Sequence, residues 1–379
     1  MHEGVRFCIT KKSKRKIMKR ILHILSAIDG GGGERVVYNY YSNMNHNNVK
    51  LDLAVIDRGC KQLLEDGFRE MGCNVFYVPV PIFKRLWAIH KMMRNGHYDG
   101  VHCHRIFLAE IYMILGWINH IPLRIAHAHM AFIVGHKKGV FINTLLKPLL
   151  KLFTTKRLAC GEAAAMYVWG STKGVTIINN AIDLKKFRYD PQIRMEYRRK
   201  LNIQDDELVI GHVGRFDEQK NHTFLIRVFD ELCKEYPGKI FRLIMIGEGE
   251  LLETIKISVE KTEYFDKLHF LGLQSDVNNW MQAFDIFLLP SLFEGLPVVG
   301  VEAQAIGLPC VFSDSITSEF KMSNRVSFLS LKAPLKQWTN IIYRYIIEQS
   351  KDDNRQIITS KGFNIVIEAP KLEKIYLNG

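Results

Sequence analysis

Residues 285 to 302 read Asp-Ile-Phe-Leu-Leu-Pro-Ser-Leu-Phe-Glu-Gly-Leu-Pro-Val-Val-Gly-Val-Glu. The apolar run Ile286 to Leu289 has the length of a short buried strand, and it passes into a loop ending at Glu294 and Gly295. A helix follows, with Pro297 in its first turn, where the missing N–H would have no partner anyway. The start of such a helix presents free N–H groups and the positive end of its dipole, which together seat a phosphate. Glu294 precedes that seat. Glu302 lies about one and a half turns inside the helix, roughly 7 to 9 Å along its axis at ~1.5 Å per residue. Two carboxylates near a diphosphate seat suit a ligand that carries hydroxyl groups on both sides of its phosphates.

Around this segment, strand-like and helix-like runs alternate. Leu208 to Val213 reads as a strand, the loop Gly214 to Lys220 leads into a helix at Asn221, and Phe224, Leu225, Val228, Phe229, Leu232 and Cys233 share one helical face. Strands follow at Phe241 to Ile246, Leu268 to Leu271 and Pro309 to Phe312, with helices over Glu250 to Lys261 and Val277 to Ala283. The first half repeats the pattern. Its strands are Arg20 to Ile28, Leu51 to Ile56, Asn74 to Val80, Gly100 to His104 and Arg124 to His129. Its helices are Glu34 to Met44, Gln62 to Met71, Leu86 to Asn95 and Phe107 to Asn119. Such βα alternation predicts parallel sheets with helices on both faces, hence an α/β chain of two doubly wound, Rossmann-like domains. Ligands of such sheets bind beyond the carboxyl ends of the strands. His104, His127, His129 and the loop Gly30 to Gly33 all fall at those ends, so they are expected in one cleft. The tail carries helical stretches at Leu335 to Ser350 and Lys371 to Leu377.

The 285–302 segment resembles the glutamate–seven residues–glutamate signature of retaining glycosyltransferases of the GT-B fold, family 4. Other motifs occur in that family's order: Gly214-Arg215 with Gln219-Lys220-Asn221, Gly247-Glu248-Gly249, Phe270-Leu271-Gly272 and Ser313-Asp314. The Gly30 to Gly33 loop followed by Glu34 is similar to the family's acceptor-side loop. Asn179-Asn180-Ala181-Ile182-Asp183 with Lys186-Phe187 resembles its hinge, with Asn180 at the usual glycine position, where asparagine is the next-best residue for a left-handed backbone. The resemblance implies an acceptor-binding domain over 18–185, a linker over 186–207, a nucleotide-sugar-binding domain over 208–349, and a tail over 350–379 that crosses back to the first domain. Residues 1–17, with Lys11-Lys12-Ser13-Lys14-Arg15-Lys16, form a basic extension expected to be disordered until bound.

The resemblance also implies roles. Glu294 holds the donor sugar and Glu302 the ribose. Arg215 and Lys220 stabilise the leaving diphosphate without a metal, which is the chief electrostatic task of the reaction. Gly295, Leu296, Pro297 and Val298 bring backbone to the diphosphate, Gly214 joins them, and Gly247, Glu248 and Leu273 shape the base pocket. Gly31 and Gly32 approach the donor phosphate, with Gly33, His104 and His127 on the acceptor side. His129 is the histidine nearest the reacting centre, although His127 points the same way along an alternating strand and either can serve. A retaining transfer of this kind lets a phosphate oxygen take the acceptor's proton, so no protein base is needed. No cofactor and no metal are implied.

Composition agrees with a globular enzyme. The chain has 379 residues with 47% apolar and 24% charged side chains, enough for two cores. No window of about 18 residues is free of polar groups, which excludes a membrane span, and the first 20 residues lack the apolar core of a secretory signal. Seven cysteines without paired-ligand spacing point to free thiols in a cytoplasmic chain. Residues 1–200 hold 33 Lys+Arg against 14 Asp+Glu, a net +19, whereas the rest of the chain nets −6. No zinc-finger, RNA-recognition or helix-turn-helix pattern accompanies that charge, so no specific nucleic acid is implied. An anionic membrane at the inner face of the cell fits it, with Phe141 to Phe153 and Lys137, Lys138, Lys147, Lys151, Lys156 and Arg157 as the contact. A core helix with a solvated basic edge explains the same residues. The partners expected are therefore a nucleotide-sugar donor, probed first as a UDP-sugar, and a lipid-linked or growing surface-polysaccharide acceptor. Two rival readings fit the fold: a nucleotide-sugar-binding subunit without activity, and a GT-B relative such as a UDP-sugar 2-epimerase.

Overall fold

The alternation resolves into two parallel sheets. The computed structural model describes residues 18–29, 31–104, 108–129, 137–348 and 351–379. The basic extension 1–17, Gly30, Phe107 and the side chains of Lys137, Lys138 and Phe141 lie outside the described residues. In the first half, β1 (Lys19–Ile24), α1 (Gly32–Tyr41), β2 (Val49–Ile56), α2 (Glu65–Glu70), β3 (Asn74–Val78) and α3 (Ile82–Asn95) wind in one direction. Then β4 (Gly100–Cys103), α4 (Ala109–Ile118), β5 (Leu123–Ala128), α5 (Lys137–Phe153), β6 (Lys156–Ala159), α6 (Glu162–Trp169) and β7 (Val175–Ile177) wind in the other. The strand order is β3-β2-β1-β4-β5-β6-β7. The direction of winding therefore reverses between β1 and β4, and a ligand crevice opens at such a reversal.

A helix, α7 (Pro191–Lys200), precedes the second sheet. That sheet is built from β8 (Leu208–Val213), α8 (His222–Glu235), β9 (Phe241–Ile246), α9 (Leu252–Val259), β10 (Leu268–Phe270), α10 (Val277–Trp280), β11 (Ile286–Leu289), α11 (Val298–Ile306), β12 (Cys310–Ser313) and β13 (Val326–Leu329). Its order, β10-β9-β8-β11-β12-β13, reverses between β8 and β11. The chain ends with α12 (Leu335–Ile347), α13 (Arg355–Ser360) and α14 (Ile365–Asn378).

Periodicity explains the helix faces. Val36, Val37, Tyr40 and Tyr41 of α1 are buried, as are Phe224, Leu225, Val228, Phe229 and Leu232 of α8. One apolar core fills the first domain and continues through Leu296 and Val298 onto the α11 face of the second sheet. Another fills that sheet's opposite face.

The stretch 186–207 is not slack. Asp190 caps α7 by accepting bonds from the amides of Gln192 and Ile193, and Pro191 stands in its first turn. This Asp-Pro start is a helix signal that the sequence reading passed over. The helix docks on the second domain. Arg194 donates to Asp285 Oδ1 at 2.5 Å and Arg198 to Oδ2 at 3.3 Å, while the Val209 amide donates to the same carboxylate at 2.7 Å. Farther on, α14 packs against α1, β1 and β2. Glu373 there accepts bonds from the Asn45 amide at 3.0 Å and the Asn48 side chain at 2.7 Å.

Asp285 therefore holds α7 to the start of β8 and β11, with the Arg198 side chain only 4% exposed. Asp285→Ala is expected to destabilise the chain by about 3 kcal/mol, because it removes the one carboxylate shared by a buried and a part-buried guanidinium group. Urea unfolding of the two proteins measures it, and a loss below ~1 kcal/mol would show that the pair is a surface one.

Candidate active site

Both sheets end their strands at one cleft. From the second sheet, β11 delivers Ser291 and Glu294, and β8 delivers Gly214, Arg215, Gln219 and Lys220. The two loops are tied together: the Leu292 amide donates to Gln219 O at 2.8 Å, and Asn221 Nδ2 donates to Pro290 O at 3.2 Å. Asn221 itself takes the left-handed conformation, φ 55°, which ends a short helical turn and starts α8. Glu294 is only 9% exposed, and its carboxylate is fully engaged. It accepts bonds from Lys220 Nζ at 2.5 Å, Ser291 Oγ at 2.8 Å and Gln219 Nε2 at 3.1 Å. These charge-assisted bonds keep an anion in a buried place that would otherwise reject it.

Beside this cluster α11 begins. Pro297 is its N-cap rather than a first-turn residue, and no side chain caps the helix. The amides of its first turn thus have no side-chain cap. Glu302 lies on the buried side of α11 at 5% exposure, and burial raises its carboxyl pKa, opposed by the charge of Arg35 on α1. At the other strand ends, glycines let backbone meet backbone. A Cβ on Gly247, whose φ is +141°, would lie 2.0 Å from Gly214 O. Glu248 and Leu273 are exposed at the rim.

Across the cleft stands α1. Its helix starts at Gly32, two residues earlier than the periodicity suggested, with Gly31 as N-cap. Glu34 folds back to the Gly31 backbone, occupying its own helix start in the manner of a capping box. Burial raises the Glu34 carboxyl to about 7, with Arg215 of the second domain pulling it down. Gly32 looks directly at α11, since a Cβ there would come 4.0 Å from Val298 Cγ2. A third helix start, that of α6, is filled by Glu319, whose carboxylate accepts the amides of Glu162 at 2.9 Å and Ala163 at 3.0 Å. Among these three helix starts, α11 alone is free of a side-chain carboxylate.

His104, His127 and His129 do come together, and His129 packs against Gly33. Burial holds His129 down to about 4, so it is neutral at physiological pH. Two histidines that the sequence reading did not single out, His23 and His102, join them. The signal for them was present in the alternation of β1 and β4, where both face the same side as His104. Asn180 differs from expectation as well. It is not left-handed; its side chain instead crosses the domains and donates to Leu296 O at 2.8 Å. A glycine has no side chain to make that bond, which accounts for the departure from the family pattern.

With this geometry in view, comparison with known proteins decides the family. Residues 193–319 match the model of the glycosyl transferases group 1 family. A Bacillus subtilis (strain 168) protein provisionally named glycosyltransferase EpsF is 33% identical over 338 residues, covering 86% of this chain and 87% of that one. The chain belongs to the group 1 glycosyltransferases. A second relative of this transferase, the Escherichia coli UDP-Gal:alpha-D-GlcNAc-diphosphoundecaprenol alpha-1,3-galactosyltransferase, is 26% identical and covers 92% of the chain and 94% of its own length. The fold matches the crystal structure of Anabaena Alr3699/HepE in complex with UDP and glucose. That match has a TM-score of 0.77 and 17% identity, over 94% of this chain and 99% of the other. The two facing Rossmann-like domains are the GT-B architecture.

The raised Glu34 carboxyl gives the transferase a pH signature. From its usual 4.5 up to about 7, the folded chain holds a proton there that the unfolded chain has released. The stabilisation linked to this group is full below the unfolded value and is lost as pH rises through the folded one. Glu34→Gln is neutral throughout and lacks that loss. Thermal melts are expected to show the variant gaining on the parent as pH rises from 4.5 to 7.5, whereas parallel curves would place the carboxylate in water.

Proposed function

We propose that this transferase moves a sugar from a UDP-linked donor to a lipid-linked or growing surface-polysaccharide acceptor, with retention at the anomeric carbon. One observation carries the reading: α11 keeps an uncapped start beside the Glu294–Lys220 pair and opposite the glycines of α1. A diphosphate is the ligand such a seat favours, being anionic and able to take several amides at once. Its arrival gives Lys220 a stronger acceptor than Glu294 alone and brings Arg215 in from the rim. Negative charge that develops on the leaving diphosphate then meets cations already in place, without a metal and without reorganisation.

Released from Lys220, Glu294 accepts bonds from the donor sugar hydroxyls, with Ser291 and Gln219 holding its orientation. Glu302 takes the ribose hydroxyls, and the glycine-lined ends of β8, β9 and β10 with Glu248 and Leu273 take the base. His129, neutral and packed on Gly33, stands over the reacting carbon. A phosphate oxygen accepts the acceptor's proton as the acceptor oxygen bonds to the anomeric carbon on the leaving-group face. The E. coli relative's name supports this class of donor and acceptor, joining UDP-Gal to a diphosphoundecaprenol-linked sugar.

An acceptor with a lipid anchor calls for a surface near the membrane. Among the described residues no helix is long and apolar enough to cross one. On α5, however, Leu145 is 68% and Leu152 71% exposed, beside Lys151 and with Trp117 nearby at 55%. Leucines next to a lysine suit the headgroup layer of an anionic membrane, and we place the transferase at its cytoplasmic face.

A thermal-shift panel of UDP-, GDP- and ADP-sugars identifies the donor, since binding raises apparent stability as ln(1 + [L]/Kd). With that donor, Glu294→Gln is expected to lose transfer by at least ~10²-fold, and Lys220→Ala to lose about 10²–10³-fold. Proton NMR of the product reads the anomeric configuration. Full activity in Glu294→Gln, or an inverted product, would overturn the proposal.

A further inference from the structure

Below the cleft, His23 and His102, to which the proposed transfer gives no role, meet His104. His23 on β1 and His102 on β4 are register partners on neighbouring parallel strands, and His104 follows β4. One ring nitrogen from each of the three lies within 4.8 Å of the others. We propose that His23, His102 and His104 bind a divalent late first-row transition ion such as Zn2+, apart from the donor seat, and that Tyr376 of α14 orients two of the ligands.

The hydrogen bonds assign the ligand atoms. The Tyr376 hydroxyl lies 2.8 Å from His102 Nδ1 and 3.2 Å from His23 Nε2. With an ion bound to the other ring nitrogens, the hydroxyl oxygen, which has two lone pairs, would accept from both N–H groups. That leaves lone pairs on His102 Nε2 and His23 Nδ1. His102 Nε2 is buried and has no partner. His104 donates from Nδ1 to His129 Nε2 at 2.8 Å, which puts its lone pair on Nε2, 2.9 Å from His23 Nδ1. Without an ion, His23 Nδ1–H donates to His104 Nε2 and the Tyr376 hydroxyl donates to His23 Nε2; an ion in place of that proton lies against both lone pairs. With metal–nitrogen bonds of ~2.0–2.1 Å, two nitrogens on one ion stand about 2.9 to 3.4 Å apart. The His23–His104 pair already has that spacing, and His102, whose ring stacks on His104, must turn to bring its nitrogen from within 4.8 Å onto the same ion. The outward contacts of the far nitrogens match the outer-shell pattern of metal-bound imidazoles.

The surroundings fit the same ion. His23 and His102 are buried, so an ion held there is shielded from water. Three imidazoles without a carboxylate select Zn2+, Ni2+ or Cu2+ over Mg2+ or Ca2+. A cavity of about 10 Å³ adjoins the rings, lined in part by His23, His104, His127 and Tyr376. That is at the lower limit of the room one water needs. An ion here joins β1 to β4 and, through Tyr376, fixes α14 on the first domain.

The test uses the full chain stripped with a chelator and titrated with Co2+, then Zn2+. One equivalent of Co2+ is expected to give the visible absorption of a four-coordinate site, to be displaced by Zn2+, and to raise the melting temperature, with no response to Mg2+. His102→Ala is expected to lose the absorption. Tyr376→Phe is expected to bind 10–100-fold more weakly while circular dichroism stays native. Absence of a stoichiometric Co2+ spectrum in the parent chain overturns the site. So does unchanged binding in His102→Ala, which moves the ion to His104, His127 and His129 or to the surface. If His102→Ala fails to fold, Tyr376→Phe decides, and parental affinity there rejects the assigned ligand geometry.

Discussion

A carboxylate at 9% exposure dictates its surroundings, and Glu294 organises this cleft in that way. Its charge is tolerable only because Lys220, Gln219 and Ser291 donate to it. Those donors sit on two loops from two strands, so satisfying one anion joins the ends of β8 and β11. The same stitching holds the start of α11 open toward the other domain. Lys220 is thus paired with Glu294 and not left as a lone cation in a largely buried place.

The two reversals of strand order face each other, and three interactions keep them so. Asn180 reaches Leu296, Glu319 caps α6 from the opposite domain, and the tail returns α14 to α1. The helix starts of α1 and α6 carry the chain's own carboxylates, and that of α11 does not. The three helix starts therefore differ in how far the chain itself neutralises their positive ends.

Much of the fold was legible because parallel strands in this chain are short apolar runs and the helices between them carry one buried face. Val36, Val37, Tyr40 and Tyr41 show it in α1, and Ile286 to Leu289 in β11. Less legible were α7, where basic residues mask the Asp190-Pro191 start, and β6 and β7, whose runs are too short to carry a period. Asn180 shows a different limit: its family position suggested a backbone conformation, whereas its side chain serves a carbonyl 116 residues away.

The sequence alone determined the two-domain α/β plan and singled out Glu294, Lys220, Arg215 and the glycines as candidates, since strand length, helix periodicity and motif spacing are local quantities. Tertiary structure decided which charges pair and which helix start stays open. It also decided the meeting of His23, His102 and His104 with Tyr376, whose nearest approach in sequence is 272 residues away from His104. Those outcomes depend on strand order and on the return of the tail. Neither leaves a periodic trace in the chain, because both are settled by which buried surfaces and polar groups fit together.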